Sequence, residues 1–246
     1  MPSGMRADLY LLEQGRFETR AQAQAAIAAG RVRIGGVVIA KASQKVQPGA
    51  PVDAEPTHPW VGRAALKLVA GLDHFGIDPA GRVALDIGSS TGGFTEVLLS
   101  RGAARVFAVD VGRQQLHSRL RNDPRVTALE GQDARTLTPE QVTLAPGLVV
   151  CDASFIGLAK VIERPLSMAA SGAEALLLFK PQFEVGRAHI GKGGVVKDDE
   201  AVHAALERFR IWLNTRTDFR VSGVTDSPIT GSDGNREFLV AAKRTS

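Results

Sequence analysis

The stretch Leu85-Asp86-Ile87-Gly88-Ser89-Ser90-Thr91-Gly92-Gly93-Phe94-Thr95 constrains the fold of this 246-residue chain more than any other. Val83 to Ile87 reads as a short apolar strand that runs into a Gly/Ser/Thr loop, and a helical pattern starts near Gly93. A strand feeding a helix through a glycine loop opens an α/β sheet of the kind whose ligands sit beyond the carboxyl ends of the strands. Glycine there permits positive φ and close backbone approach, and the first helical turn offers free N–H groups. The spacing is not that of the dinucleotide fingerprint, and Asp86 stands just before the loop. A carboxylate at that point repels a pyrophosphate and suits a cationic ligand such as a sulfonium amino acid.

The rest of the chain extends this pattern. Further apolar runs at Arg105–Asp110, Val126–Glu130, Leu148–Cys151 and Ala175–Phe179 alternate with helical stretches, which predicts a mostly parallel sheet. Two last strands, Phe219–Val224 and Glu237–Lys243, are joined by a turn-rich loop without a helix and are expected to pair antiparallel. Residues 1–50 read differently: a helix over Asp8–Gln14, a second over Arg20–Ala29 with Thr19 as N-cap and Gly30 as stop, then a hairpin at Gly35-Gly36. Residues 48–60, with prolines at 48, 51, 56 and 59, read as a linker that holds no regular element. We therefore expect a domain over 1–55, a linker at 56–60 and a second domain over 61–246, with Trp60 pinning the linker to the latter.

Charge separates the two parts. The net charge is +4, and residues 1–50 hold seven basic side chains (Arg6, Arg16, Arg20, Arg31, Arg33, Lys41, Lys45) against Asp8, Glu13 and Glu18. A basic module beside a near-neutral domain suggests an anionic partner, nucleic acid being the commonest, with a solvated basic surface as the alternative. Cys151 is the single cysteine, so no intrachain disulfide forms. No apolar run reaches the roughly 18 residues of a membrane helix, and the start lacks the charged-then-apolar layout of a signal peptide. A cytoplasmic protein is expected.

Chemistry-bearing residues recur at strand ends. Asp110 closes the second strand, where an acid suits a ribose diol, and Asp133 follows the third, where it can accept from an adenine amine. Either acid alone is commonly an N-cap or a loop residue; three at successive strand ends behind this glycine loop form a joint signal. The fourth strand ends Cys151-Asp152-Ala153-Ser154-Phe155, and Cys151 reads as a buried apolar residue rather than a nucleophile. The fifth ends in Lys180, either snorkelling to water or partly buried near Asp152. Lys67 lies on a helical stretch before the first strand, and Glu237 opens the last. The basic loop 185–197, with Arg187 and Lys192, lacks the Lys-Ser/Thr step of a P-loop; it reads as a mobile loop that holds substrate, or as ordinary surface.

The run Asp86 to Thr95 resembles the first motif of S-adenosylmethionine-dependent methyltransferases, most closely the FtsJ (RrmJ) type that methylates ribose 2′-hydroxyls of RNA. The resemblance implies a Rossmann-like fold with a mostly parallel seven-stranded sheet whose last strand is antiparallel. It assigns S-adenosylmethionine to Asp86, Gly88, Ser89, Ser90, Gly92, Gly93, Phe94, Asp110, Val111, Asp133, Ala134 and Asp152. Lys67, Asp152, Lys180 and Glu237 fall on its catalytic tetrad. Residues 5–50, with Met5-Arg6-Ala7-Asp8, Thr19-Arg20 and Ala26-Ile27 to Gly30-Arg31-Val32, resemble the small α/β S4 RNA-binding domain. Its implied RNA contacts are Arg6, Arg16, Arg20, Arg31 and Lys41, with Arg63, Arg187 and Lys192 from the second domain. An S4 module ahead of this methyltransferase is the layout of the TlyA (hemolysin A) family, which implies ribosomal RNA or ribosomal subunits as partner, cytidine as the nucleoside and no metal. The competing readings are a membrane-active hemolysin and a non-catalytic RNA-binding protein; the absence of a span or signal speaks against the first and the intact tetrad against the second.

Overall fold

The computed structural model describes residues 4–245; Ser246 and Met1–Ser3, the start of the segment read against a signal peptide, lie outside them. The chain divides between Pro59 and Trp60 into two units. The first contains β1 (Met5–Arg6), α1 (Ala7–Glu13), α2 (Arg20–Ala28), β2 (Val32–Ile34), β3 (Val37–Val38), β4 (Lys45–Val46) and β5 (Val52–Ala54). A capping box starts α2: Thr19 Oγ1 accepts from Gln22 N, and Gln22 Oε1 accepts from Thr19 N. Ala7, Tyr10 and Leu11 on α1 and Ala23, Ala26 and Ile27 on α2 recur at helical spacing, so each helix buries one face against Val32, Ile34 and Ile39. β2 and β3 form the hairpin at Gly35-Gly36.

One expectation for this region is overturned. The proline-rich stretch 48–60 does hold a regular element, β5, antiparallel to β2. Pro51 does not prevent it because it stands before the strand and uses only its carbonyl, which accepts from Gly35 N at 2.9 Å. β5 is also an edge strand, where proline is tolerated.

The second unit contains α3 (Ala65–Phe75), β6 (Val83–Ile87), α4 (Gly93–Ser100), β7 (Arg105–Asp110), α5 (Ser118–Arg121), β8 (Val126–Glu130), β9 (Leu148–Cys151), α6 (Leu158–Ser167), β10 (Glu174–Phe179), α7 (Asp199–Arg216), β11 (Phe219–Asp226) and β12 (Phe238–Arg244). Its seven strands are ordered β11-β12-β10-β9-β6-β7-β8. β12 is antiparallel to both of its neighbours, and the other strands run one way. This is the mostly parallel seven-stranded sheet expected.

Both faces of the sheet are covered, so its strands are continuously apolar and alternate residues enter different layers. Ala84, Val106, Ala108, Val150, Leu176, Leu178 and Leu239 pack with residues of α3 and α4. Leu85, Ile87, Phe107, Val149, Cys151, Leu177, Phe179 and Phe238 pack with residues of α6 and α7 on the other side. Burial of each large aliphatic side chain contributes roughly 1.5–3 kcal/mol, so a register slip that exchanged the two faces would be costly. The same alternation fixes the charged residues. Asp86, between Leu85 and Ile87, faces the α3/α4 side. Asp152 and Lys180, one step past Cys151 and Phe179, and Glu237, one step before Phe238, fall on that side too.

Candidate active site

The loops at the carboxyl edge of β6, β7 and β9 are held close together by backbone contacts. Gly88 has φ +78°, and a Cβ there would lie 2.9 Å from Ala153 Cα, so the loops after β6 and β9 meet only because residue 88 is glycine. Gly92, at φ +100°, is the N-cap of α4, and a Cβ would overlap Leu120. Asp110 accepts from Ser90 N at 2.8 Å and from Gly112 N at 2.7 Å, tying the first loop to the second.

These loops border two cavities. The larger, about 620 Å³, is lined by residues that include Gly88, Ser90, Asp110, Val111, Asp133 and Ala134. The smaller, about 220 Å³, is lined by residues that include Arg63, Ser89, Thr91, Phe94 and Lys180. Gly88, Ser90, Asp152 and Ser154 belong to both walls.

Lys180 lines the smaller cavity and reaches the shared wall through Asp152 and Ser154. Its Nζ donates to Ser154 Oγ at 2.7 Å and to the Asp152 carbonyl at 3.3 Å. It also lies 2.6 Å from Asp152 Oδ1, an ion contact off the hydrogen-bonding direction. The Lys180 side chain is 9 % exposed, so of the two readings of this strand-end lysine the snorkelling one is overturned. Lys67 and Glu237 form a second ion pair, Nζ to Oε2 at 2.5 Å, with side chains 7 % and 2 % exposed. The antiparallel register puts Glu237 opposite Lys180, one step beyond the Phe179–Phe238 pair. The four residues expected as a tetrad thus form two lysine–carboxylate pairs on one side of the sheet edge: Lys180–Asp152 on the cavity wall, and Lys67–Glu237 buried without lining either cavity.

The residues expected to hold a cofactor divide in the same way. Gly88, Ser90, Asp110, Val111, Asp133, Ala134 and Asp152 line the larger cavity, while Ser89, Gly93 and Phe94 line only the smaller and Gly92 lines neither. Asp133 is engaged by Arg135 through both carboxylate oxygens, which holds its carboxyl below the usual range. Asp86 departs from expectation. It is fully buried and lines neither cavity, because strand alternation turns it toward α4, where Oδ2 accepts from Thr95 Oγ1 at 2.6 Å. Among the described residues its Oδ1 has no hydrogen-bond partner. Burial pushes this carboxyl up to about 7, Thr95 opposes the shift, and the nearby Asp152 and Asp110 add to it. Cys151 is fully buried on the opposite face, its thiol pushed up to about 12 chiefly by burial.

Gly112, Gln115, Phe155, Ile156 and Val161 also line the larger cavity and were not singled out from the sequence. Phe155 is 92 % exposed at φ +68°. The one signal for it was an aromatic residue following a strand-end acid.

The expected RNA-contacting side chains are at the surface of their units. Arg16, Arg20, Arg31 and Lys41 are exposed in the first, as are Arg63, Arg187 and Lys192 in the second, and Arg6 is half-buried. The basic loop 185–197 carries local structure of its own. It is folded into short 3₁₀ turns, Ile190 bridges Val196, and the buried Asn235 pins it by accepting from Val196 N at 2.8 Å and donating to the Gly194 carbonyl at 2.9 Å.

Comparison with known proteins identifies the arrangement. Residues 60–244 match the model of the FtsJ-like methyltransferases, and residues 5–52 match that of the S4 domain. The 16S/23S rRNA (cytidine-2'-O)-methyltransferase TlyA of Mycobacterium tuberculosis is 44% identical over 241 residues, covering 96% of this chain and 88% of the relative. The chain belongs to the TlyA family of FtsJ-like methyltransferases. A structure from Streptococcus thermophilus, named as a hemolysin, superposes with a TM-score of 0.78 at 35% identity and covers 100% of this chain and 90% of that one. An S-adenosylmethionine-dependent methyltransferase from Mesorhizobium loti, at 16% identity, shares the fold of the second unit, with a TM-score of 0.52 over 71% of this chain and 96% of that one. Among the described residues of this TlyA-family chain, no helix is long and apolar enough to cross a membrane.

Proposed function

We propose that this chain transfers a methyl group from S-adenosylmethionine to ribose 2′-hydroxyls of ribosomal RNA, with cytidine as the target nucleoside. The observation that carries the reading is that Asp152 and Ser154 stand in the wall shared by two cavities and Lys180, in the smaller cavity, contacts both, where a donor in one cavity and an acceptor in the other would meet.

The residues present fit the methyl donor. The larger cavity combines two strand-end acids, Asp110 and Asp133, with the apolar Val111, Ile156 and Val161. In the adjoining smaller cavity the buried Ser89 Oγ has no hydrogen-bond partner among the described residues. S-adenosylmethionine, when bound there, supplies an electrophilic methyl on a sulfonium. Gly88, Ser90, Asp110 and Asp133 would hold it, and Asp152 would stand between donor and acceptor.

A ribose hydroxyl is a weak nucleophile until its proton has somewhere to go. Lys180 Nζ is the atom that takes it, after the ammonium paired with Asp152 has first released its own proton to solvent. Asp152 and Ser154 Oγ then stabilise the ammonium that results. Lys67 and Glu237 neutralise each other beside this site and fix the end of β12 against α3. The remaining contribution is orientation, since hydroxyl oxygen, methyl carbon and sulfur must lie in line.

The exposed arginines of the first unit, with Lys41, Arg63, Arg187 and Lys192, supply the cationic surface for a phosphodiester backbone, and the reaction takes place in the cytoplasm, where ribosomal subunits are found. The test is transfer of labelled methyl groups from S-adenosylmethionine to ribosomal subunits, followed by nucleoside mass spectrometry. The reading expects label on 2′-O-methylcytidine; label on a base carbon or amine, or on no nucleoside, overturns it.

A further inference from the structure

The first unit contains one acid that is fully buried, Asp8, and it lies among cations expected at an RNA surface. Its carboxylate accepts from three side chains belonging to two elements. Arg6 binds it side-on, Nε to Oδ1 and Nη2 to Oδ2, both at 3.0 Å. Arg20 Nε donates to Oδ2 at 2.7 Å, and Gln24 Nε2 to the same oxygen at 2.8 Å. Leu9 N at the start of α1 donates to Oδ1 at 3.1 Å. The carboxylate itself is fully buried, whereas the arginine side chains are 34 % and 50 % exposed. Arg6 Nη1 and both terminal nitrogens of Arg20 make no other bond among the described residues.

An acid at a surface meant for RNA would ordinarily be a liability, since it cancels one cation. Here its geometry offsets that cost. An arginine carries large rotamer freedom, and ordering it on binding weakens affinity. Side-on and end-on hydrogen bonds to a fixed carboxylate order the guanidinium beforehand and leave its outer N–H groups free, the fork that matches phosphate oxygens. We infer that Asp8 is a positioning residue that locks Arg6 and Arg20 into one preformed site for a phosphodiester of the RNA backbone. The inference rests on the reading that the first unit contacts RNA.

The test is the affinity of the full-length protein for deproteinised ribosomal RNA at fixed salt, for Asp8→Asn, for Arg6→Ala/Arg20→Ala and for the triple variant. Electrostatics alone predicts that Asp8→Asn, which raises the net positive charge by one, binds more tightly. The positioning role predicts the reverse, a loss of about tenfold from two side chains that must now order on binding. In the Arg6→Ala/Arg20→Ala background the Asp8 substitution should then cost nothing more, because no guanidinium is left to position. Unchanged or tighter binding by Asp8→Asn overturns the inference. An equal loss in both backgrounds also overturns it, since the substitution would then act through the fold of the unit. If Arg6→Ala/Arg20→Ala itself binds like wild type, it is the underlying RNA-contact reading that fails.

Discussion

Replacing Asp86 by asparagine is expected to stabilise the cofactor-free protein at neutral and alkaline pH. The wild-type carboxyl is fully buried, with one oxygen bonded to Thr95 and the other without a partner, and its pKa is pushed up to about 7 from 3.8. At about 1.4 kcal/mol per pKa unit, ionising it in place costs the folded state about 4 kcal/mol above pH 7. The asparagine keeps an acceptor for Thr95 but turns an N–H₂ toward the position that has no partner, which costs about 1–3 kcal/mol. A net gain of about 1–3 kcal/mol remains, equivalent to several degrees in Tm for a unit of this size. The sign follows from proton linkage. The folded state holds the proton to higher pH than the unfolded chain does, so wild-type stability falls as pH rises from about 4 to about 7 and is level beyond. The asparagine variant lacks this decline. Urea unfolding of both proteins between pH 4.5 and 8.5 should show the variant's advantage growing toward pH 7 and then constant. An advantage independent of pH, or one that grows toward acid, would refute the assignment of a buried, desolvated carboxyl at this position.

Three further outcomes follow from other contacts. Lys67→Met leaves Glu237 as an unpaired buried charge and should destabilise the second unit by about 3–5 kcal/mol in denaturant unfolding, whereas Lys67→Met/Glu237→Leu should recover most of that loss. Asn235→Ala removes both hydrogen bonds that pin the basic loop 185–197; with Arg187 and Lys192 no longer held in place, steady-state assays should show KM for RNA rising several-fold with kcat less affected. Thr19→Ala breaks the capping box of α2 and should cost the first unit about 1 kcal/mol, read from its thermal transition.

The parts of this protein that were legible in the sequence are those governed by local pattern. Strands β6 to β9 begin and end where their apolar runs do, and Thr19 and Gly35-Gly36 announced a helix start and a turn through their own backbone chemistry. β5 was hidden because Pro51 removes a donor, and only the fold reveals that residue 51 precedes the strand and uses its carbonyl alone. The direction of Asp86 was available in principle, since residues 84 and 86 of one strand share a face; its motif position drew attention to the loop instead of to α4. Phe155 and Gln115 line the cavity from loops whose paths depend on contacts distant in sequence, and no periodicity marks them. The clamp on Asp8 joins residues 6, 8, 20 and 24 across three elements, so the sequence offered Arg6 and Arg20 as separate RNA-facing cations and did not mark the carboxylate they share.

The central claim is that Lys180 handles the proton of a ribose hydroxyl at the junction of the two cavities. Single-turnover methyl transfer by Lys180→Met, at saturating S-adenosylmethionine and ribosomal RNA, tests it most directly when the affinity for S-adenosylmethionine is measured on the same preparation. The account predicts cofactor affinity within about threefold of wild type and a transfer rate reduced by about 10²–10⁴, the usual contribution of a positioned acid–base group. Cofactor bound normally and methyl transferred to the 2′-hydroxyl at the wild-type rate would contradict it.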